Sequence, residues 1–338
     1  MDTLKIEIIN KVGVIKLNRP DSLNALTYEM IQKIEQTLDN WVTESIDFII
    51  LEASGDRAFC AGGDIADLYK SGLEKNYKYS QLFWSDEYRL NGKIANFPKP
   101  IISFLQGFTM GGGVGLGCHV SHRIVSESSK IAMPECGIGL IPDVGGSFIL
   151  AKAPVGIGEY LATTGYRMDA DDAIFSGFSD YFIPQSDWKE VKTKLIKSRS
   201  ISVLDEFIKD PPMGELRSKL KEISSMFSNA SLGSIIDNLE KRNSTFSTQT
   251  LKLIEKNSPL SVLCTFEIIK ILRKKENLTI KDSLEYEYRF TYRAIECSDF
   301  VEGIRAQVID KDRNPNWQHN HIRNVPREKV KMMLKPLN

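Results

Sequence analysis

Ile101-Ile102-Ser103-Phe104-Leu105 leads directly into Gln106-Gly107-Phe108-Thr109-Met110-Gly111-Gly112-Gly113-Val114-Gly115-Leu116-Gly117. The first five residues form a short apolar run, the pattern of a strand buried on both faces. The segment after it holds six glycines between 107 and 117, a density suited to tight turns and close backbone approaches. A buried strand that ends in such a turn, with a helix to follow, predicts an α/β fold with parallel strands. The arrangement has a precedent upstream. Phe48-Ile49-Ile50-Leu51 is another buried run, followed by Phe59-Cys60-Ala61-Gly62-Gly63-Asp64-Ile65. Arg123-Ile124-Val125 is a weaker third strand, and helical stretches, including roughly residues 78–94, separate the three.

Outward from this core, Leu4, Ile6 and Ile8 alternate with polar residues, a turn follows near Asn10, and Val12, Val14 and Leu17 complete a hairpin. A loop then leads to a helix from about Thr27, with Met30, Ile31, Ile34 and Leu38 on its buried face. Of the 23 glycines, all but Gly214, Gly233 and Gly303 lie at or before Gly177. The second half is therefore expected to be helical. Ser258-Pro259 supplies a cap and a first-turn proline, a further helix spans about 280–297, and another starts at Asp299 with Phe300, Ile304 and Val308 on one side. We expect two regions, a core over 1–190 and a helical C-terminal region over 191–338, with a soft boundary between them.

The 338 residues carry 44 Lys and Arg against 44 Asp and Glu. A net charge of zero argues against nucleic acid as the main partner. No apolar stretch is long enough to span a bilayer. The first ten residues carry neither a signal-peptide nor a transit-peptide pattern. The expected compartment is the cytoplasm of a bacterium, or the mitochondrial matrix if a presequence has been removed. The five cysteines are widely spaced without a C-x-x-C pair, which fits a reducing compartment. His119 and His122 have the spacing of metal ligands on one helix face, but no carboxylate sits at a matching offset, so no metal is expected.

Three segments could carry chemistry. The two glycine loops, around Gly63 and Gly112, present backbone N–H groups at strand ends. They could cradle phosphate, form an oxyanion hole with one N–H from each loop, or simply allow close packing. The third segment, Met133-Pro134-Glu135-Cys136-Gly137-Ile138-Gly139-Leu140-Ile141-Pro142-Asp143-Val144-Gly145-Gly146-Ser147, places two acids in apolar surroundings with no basic residue. Glu135 and Asp143 are then either solvated loop acids or buried groups with raised pKa values. Glu87, in Ser85-Asp86-Glu87-Tyr88, reads either as an exposed helix acid or as a further site residue.

Taken together, LNRPDSLNAL, AFCAGGDI, QGFTMGGGVGLG and MPECGIGLIPDVGGS resemble the crotonase (enoyl-CoA hydratase/isomerase) superfamily in order and spacing over about residues 3–190. SPLSVLCTFEIIK, LEYEYRF and DFVEGIRAQVIDKDRNPNW extend the resemblance to its hydrolase subgroup, whose members cleave 3-hydroxyisobutyryl-CoA and related short 3-hydroxyacyl thioesters. The resemblance implies a spiral of ββα units with a helical C-terminal region. It implies an acyl-CoA substrate, with coenzyme A as part of the substrate and no separate cofactor, and it leaves a homo-oligomer open. It also implies an oxyanion hole at the N–H groups of Gly63 and Gly112. Glu135 falls on the catalytic glutamate, Asp143 on the second acid, and Glu87 on a substrate-contacting glutamate; Gly112, Glu135 and Asp143 would also touch substrate. Hydratases of the superfamily carry a glutamate where this chain has Gly115, which disfavours water addition to a double bond. A hydratase or isomerase of the same fold, or a non-catalytic structural relative, are the competing expectations.

Overall fold

The computed structural model describes residues 2–228, 231–242 and 244–337. Nine strands are assigned among them. The expected hairpin is present: β1 (Leu4–Ile9) pairs antiparallel with β2 (Val12–Leu17), with Asn10 and Lys11 at positive φ in the turn. From there the pairing is parallel. β3 (Phe48–Ala53), β5 (Ile101–Phe104), β7 (His122–Val125) and β9 (Tyr181–Phe182) extend a six-stranded sheet in the order β1-β2-β3-β5-β7-β9. β4 (Ala58–Cys60), β6 (Phe108–Met110) and β8 (Lys130–Ala132) form a second, parallel sheet of three. Successive strand pairs, β3–β4, β5–β6 and β7–β8, thus lay one strand in each sheet, and helices connect the turns. This is the spiral of ββα units that the resemblance implies.

By packing the chain groups into two compact units, each drawn from several stretches rather than cut once after residue 190. The first comprises residues 1–64, 89–132 and 167–217 and holds both sheets. β3 is buried along its whole length, as a central parallel strand covered on both faces should be. Val12, Phe48, Ile50, Ile102, Phe104 and Ile124 from one sheet face pack with Trp188, Val191 and Leu195. Trp188 meets Phe104 edge-on at 5.2 Å between centroids and donates its ring N–H to the Ile183 carbonyl, so its polar end is satisfied. The helix Tyr28–Thr43 is capped by Thr27, whose hydroxyl accepts from Met30 N, and it buries Met30, Ile31, Ile34 and Leu38 as expected.

The second unit comprises residues 65–88, 133–166 and 218–338 and is built from helices. Ser258 caps Pro259–Leu272, and Thr279 with Asp282 forms a capping box for Ile280–Cys297. The guanidinium of Arg273 takes both carboxylate oxygens of Glu159 and also donates to the carbonyls of Ala151 and Ala153 at the end of the helix Gly146–Lys152. One expectation needs correction. Phe300 and Ile304 are buried in the short helix Phe300–Ile304, but the next five residues form a π-turn, Arg305–Ile309, and this leaves Val308 on the exposed side. No helix among the described residues is long and apolar enough to cross a membrane.

A close approach in the first unit tests this packing. A Cβ on Gly113 would lie 2.2 Å from the Cys60 carbonyl oxygen, backbone against backbone. Gly113→Ala is expected to destabilise the protein by ~1–3 kcal/mol, read as a fall in the midpoint of thermal unfolding.

Candidate active site

In the first unit the two glycine loops run side by side. Gly62 faces the Met110 carbonyl and Gly113 abuts Cys60. The loop at 62–64 is fixed by Leu26 N–H donating to Gly62 O at 2.9 Å and Asp64 N–H donating to Leu26 O at 2.7 Å. The loop at 111–115 is fixed by Val114 and Gly115 N–H groups donating to Gly111 O. None of these bonds uses the N–H of Gly63 or Gly112. Gly112 opens the short helix Gly112–Gly117, in which Gly115 is buried without a side chain.

The acids lie in the second unit. Glu135 begins a 3-10 turn, Glu135–Ile138, right after Pro134, and Asp143 follows Pro142 a few residues later. Their segment is pinned from the C-terminal helices. Ser258 N–H donates to Cys136 O at 2.9 Å, Ser298 Oγ donates to Gly139 O at 3.2 Å, and the backbone at Gly303 sits against Ile138 so closely that a Cβ would be 2.1 Å from the Ile138 oxygen. Glu135, Asp143 and Glu87 are 5%, 4% and 3% exposed, which sets aside the reading of each as a solvated acid.

Burial is the first cause of their electrostatics. It raises the pKa of Glu135 and Glu87 well above the usual carboxylate value, and the neighbouring Asp143 charge raises both further. Burial pushes Asp143 itself up to about 7, against the opposing pull of the Tyr88 hydroxyl, which donates to its Oδ2 at 2.8 Å. Glu135 Oε2 and Glu87 Oε1 have no hydrogen-bond partner among the described residues. Buried polar atoms are rarely left so.

A fourth acid belongs to the cluster and escaped the reading of single residues. Glu287, on the helix Ile280–Cys297, is fully buried and pushed up to about 8 by desolvation. It accepts from Gly145 N–H at 2.8 Å, from Ser147 N–H at 3.1 Å and from the Ser147 hydroxyl. Tyr88 was missed too. Both sit inside quoted motifs, SDEY and LEYEYRF, whose acid and phenol were the available signal. The two histidines do not share a helix face: His119 lies in the turn before β7, and His122 begins that strand, stacked on Tyr181.

Paired glycine loops on a ββα spiral, together with a buried acid cluster, define a protein of the crotonase class. The chain matches the Enoyl-CoA hydratase/isomerase family over residues 12–334, and it belongs to that family. Among curated relatives, the mitochondrial 3-hydroxyisobutyryl-CoA hydrolase of Danio rerio is 36% identical over 96% of this chain and 87% of its own length. The corresponding Mus musculus protein is 37% identical over 96% of this chain and 86% of its own. Among solved structures, an enoyl-CoA hydratase from Rhodobacter sphaeroides is 45% identical with a TM-score of 0.95, covering 99% of this chain and 98% of that one. A carnitinyl-CoA dehydratase from Mycobacterium thermoresistibile is 32% identical with the same TM-score, covering 100% and 98%.

The raised pKa of Asp143 has a consequence for stability. Between about pH 4, where the unfolded side chain titrates, and about 7, where the folded one does, the native state holds the proton more tightly. Stability from this group therefore falls as pH rises through that window. Asp143→Asn removes the liability, so its unfolding midpoint is expected to exceed that of the parent protein at pH 8, by a margin that shrinks towards pH 4 in thermal melts.

Proposed function

We propose that this protein hydrolyses a short 3-hydroxyacyl-CoA thioester, most plainly 3-hydroxyisobutyryl-CoA, the compound in the names of its curated relatives. The observation that carries the reading is the Glu135 carboxyl: buried, next to Asp143, and with Oε2 unpartnered among the described residues, in a chain that has glycine at position 115. A carboxylate deprived of water, with one of its oxygens left without a donor, is poorly stabilised as an anion, which makes it reactive towards an electrophilic carbonyl once ionised.

In this reading the N–H groups of Gly63 and Gly112 take the thioester oxygen as negative charge develops on it. Each such donor contributes about 100- to 1000-fold in rate in comparable sites. Glu135 attacks the carbonyl carbon, the C–S bond breaks, and coenzyme A leaves as the thiol after taking a proton. Water then attacks the Glu135 carboxyl carbon of the mixed anhydride, releasing the 3-hydroxy acid as the leaving carboxylate and restoring the Glu135 carboxyl with one oxygen from water. Asp143 and Glu87 hydrogen-bond the substrate near its 3-hydroxyl. Coenzyme A enters as part of the substrate, and the sequence of steps calls for no separate cofactor.

A hydratase reading is favoured by the description of the Rhodobacter sphaeroides structure. Gly115 weighs against it, because it offers no second carboxylate for adding water across a double bond. One assay separates the two. Thiol release from 3-hydroxyacyl-CoA esters, with no hydration of crotonyl-CoA, supports the hydrolase; the reverse pattern overturns it. Glu135→Gln is expected to lower thiol release by at least about 100-fold without lowering the unfolding midpoint. Single-turnover hydrolysis in ¹⁸O-water, followed by mass spectrometry of the peptide carrying Glu135, is expected to find label in that side chain. Its absence would move Glu135 from nucleophile to general base.

A further inference from the structure

Asp143 is held at two levels. At its side chain, Tyr88 Oη lies 2.8 Å from Oδ2 and 3.3 Å from Thr291 Oγ1. Thr291 has an outlet for its own proton, because Oγ1 is 3.3 Å from the Glu287 carbonyl oxygen one helical turn earlier. Tyr88 carries one hydroxyl proton, and the nearer acceptor, which also bears charge when ionised, is the Asp143 carboxylate. At the backbone, the next residue, Val144, has a φ of +52°, which a β-branched side chain rarely adopts. Gly145 and Ser147 beyond it are tied by their N–H groups to Glu287. The loop is thus fixed by one helix and the carboxyl group by another.

We propose that Tyr88 is a positioning residue for Asp143: its hydroxyl engages Oδ2, turning Oδ1 to the substrate, while Glu287 holds the loop backbone in register. The inference rests on the reading above that Asp143 meets the substrate. It goes beyond that reading in naming which oxygen is engaged and by what.

The groups around Asp143 make the contact measurable. Glu87 and Tyr88 face it from the helix Tyr77–Ala95, Glu135 from the 3-10 turn, and Glu287 from the helix Ile280–Cys297. The Asp143 charge opposes ionisation of Glu87, Glu135 and Glu287, and at Asp143 itself the Tyr88 O–H and the residue's own backbone N–H are the donors that favour the charged form against burial. Tyr88→Phe removes the first of these donors and retains the ring, which packs edge-on against Tyr288 at 6.1 Å. Losing a donor to the charged form raises the pKa of the acid.

The experiment titrates the whole protein, labelled with ¹³C at the aspartate carboxyl carbons, by NMR, with the Asp143 signal assigned by its loss in Asp143→Asn. Tyr88→Phe is expected to raise the Asp143 midpoint by about one pH unit. For thiol release kcat should fall about tenfold with KM little changed. Tyr288→Phe, a neighbour whose hydroxyl donates elsewhere, to the Gln81 carbonyl, is expected to leave the midpoint in place. A purely structural role would lower activity and leave the Asp143 midpoint where it was. An unmoved Asp143 midpoint in Tyr88→Phe overturns the inference, whatever happens to turnover. Failure of the parent protein to release thiol from any 3-hydroxyacyl-CoA would instead overturn the proposed reaction, and the titration would still report on the Tyr88 contact.

Discussion

Withdrawing four carboxyl groups from water in one place is the constraint around which the second unit is organised. Glu87, Glu135, Asp143 and Glu287 are all buried, and each has its pKa raised with desolvation as the leading cause. No structure favours such a cluster for its own stability. Isolated charges cost several kcal/mol to desolvate, and like charges held together cannot all ionise. The fold tolerates the cluster because the surrounding donors are shared out unevenly. Glu287 receives three, Asp143 receives one from Tyr88 beside its own backbone N–H, and Glu135 Oε2 and Glu87 Oε1 receive none from the described residues. That gradient separates an acid with three donors from two that each keep an unpartnered oxygen.

The glycine loops of the first unit answer a different demand. Gly113 must pass the Cys60 carbonyl, and this brings the start of the helix Gly112–Gly117 against the end of β4. The two loops are therefore neighbours because of strand order. β4 and β6 pair in parallel, so the turns that leave them emerge at the same end of the three-stranded sheet. Such close packing of backbone against backbone leaves little room for side chains, and so the loop sequences are almost all glycine and small residues.

Much of this was legible in the residues. Alternation marked the hairpin, apolar runs marked β3, β5 and β7, and Ser258-Pro259 marked a helix start that the structure places at Pro259. Local rules suffice there because each signal is settled within a few residues. The short strands β4, β6 and β8 carry three residues each and lie too close to the glycine turns for periodicity to reveal them. Glu135 and Asp143 could be named, but whether they were solvated or buried depended on helices more than a hundred positions away. Glu287 could not be found by spacing at all. It lies 142 positions from Gly145, and on its own helix it reads as one more acid among Glu285, Tyr286 and Tyr288. Val308 failed for a local reason, since a π-turn changes the helical period on which its expected face depended.

The C-terminal helices thus hold the acid-bearing loop in place. A residue such as Val144 at positive φ costs of order 1–3 kcal/mol and persists only where its surroundings over-determine it. Here the over-determination is specific: two backbone N–H groups and a hydroxyl, at residues 145 and 147, all directed to a single carboxyl group on the helix Ile280–Cys297. Replacing that carboxyl group with an apolar side chain would strand buried donors, each costing roughly 1–3 kcal/mol. It would also remove what holds the loop in its strained form. The acid at position 143 could then be present in sequence and still be misdirected in space. A chain that kept MPECGIGLIPDVGGS but lost LEYEYRF would keep these acids without the contacts that hold their loop.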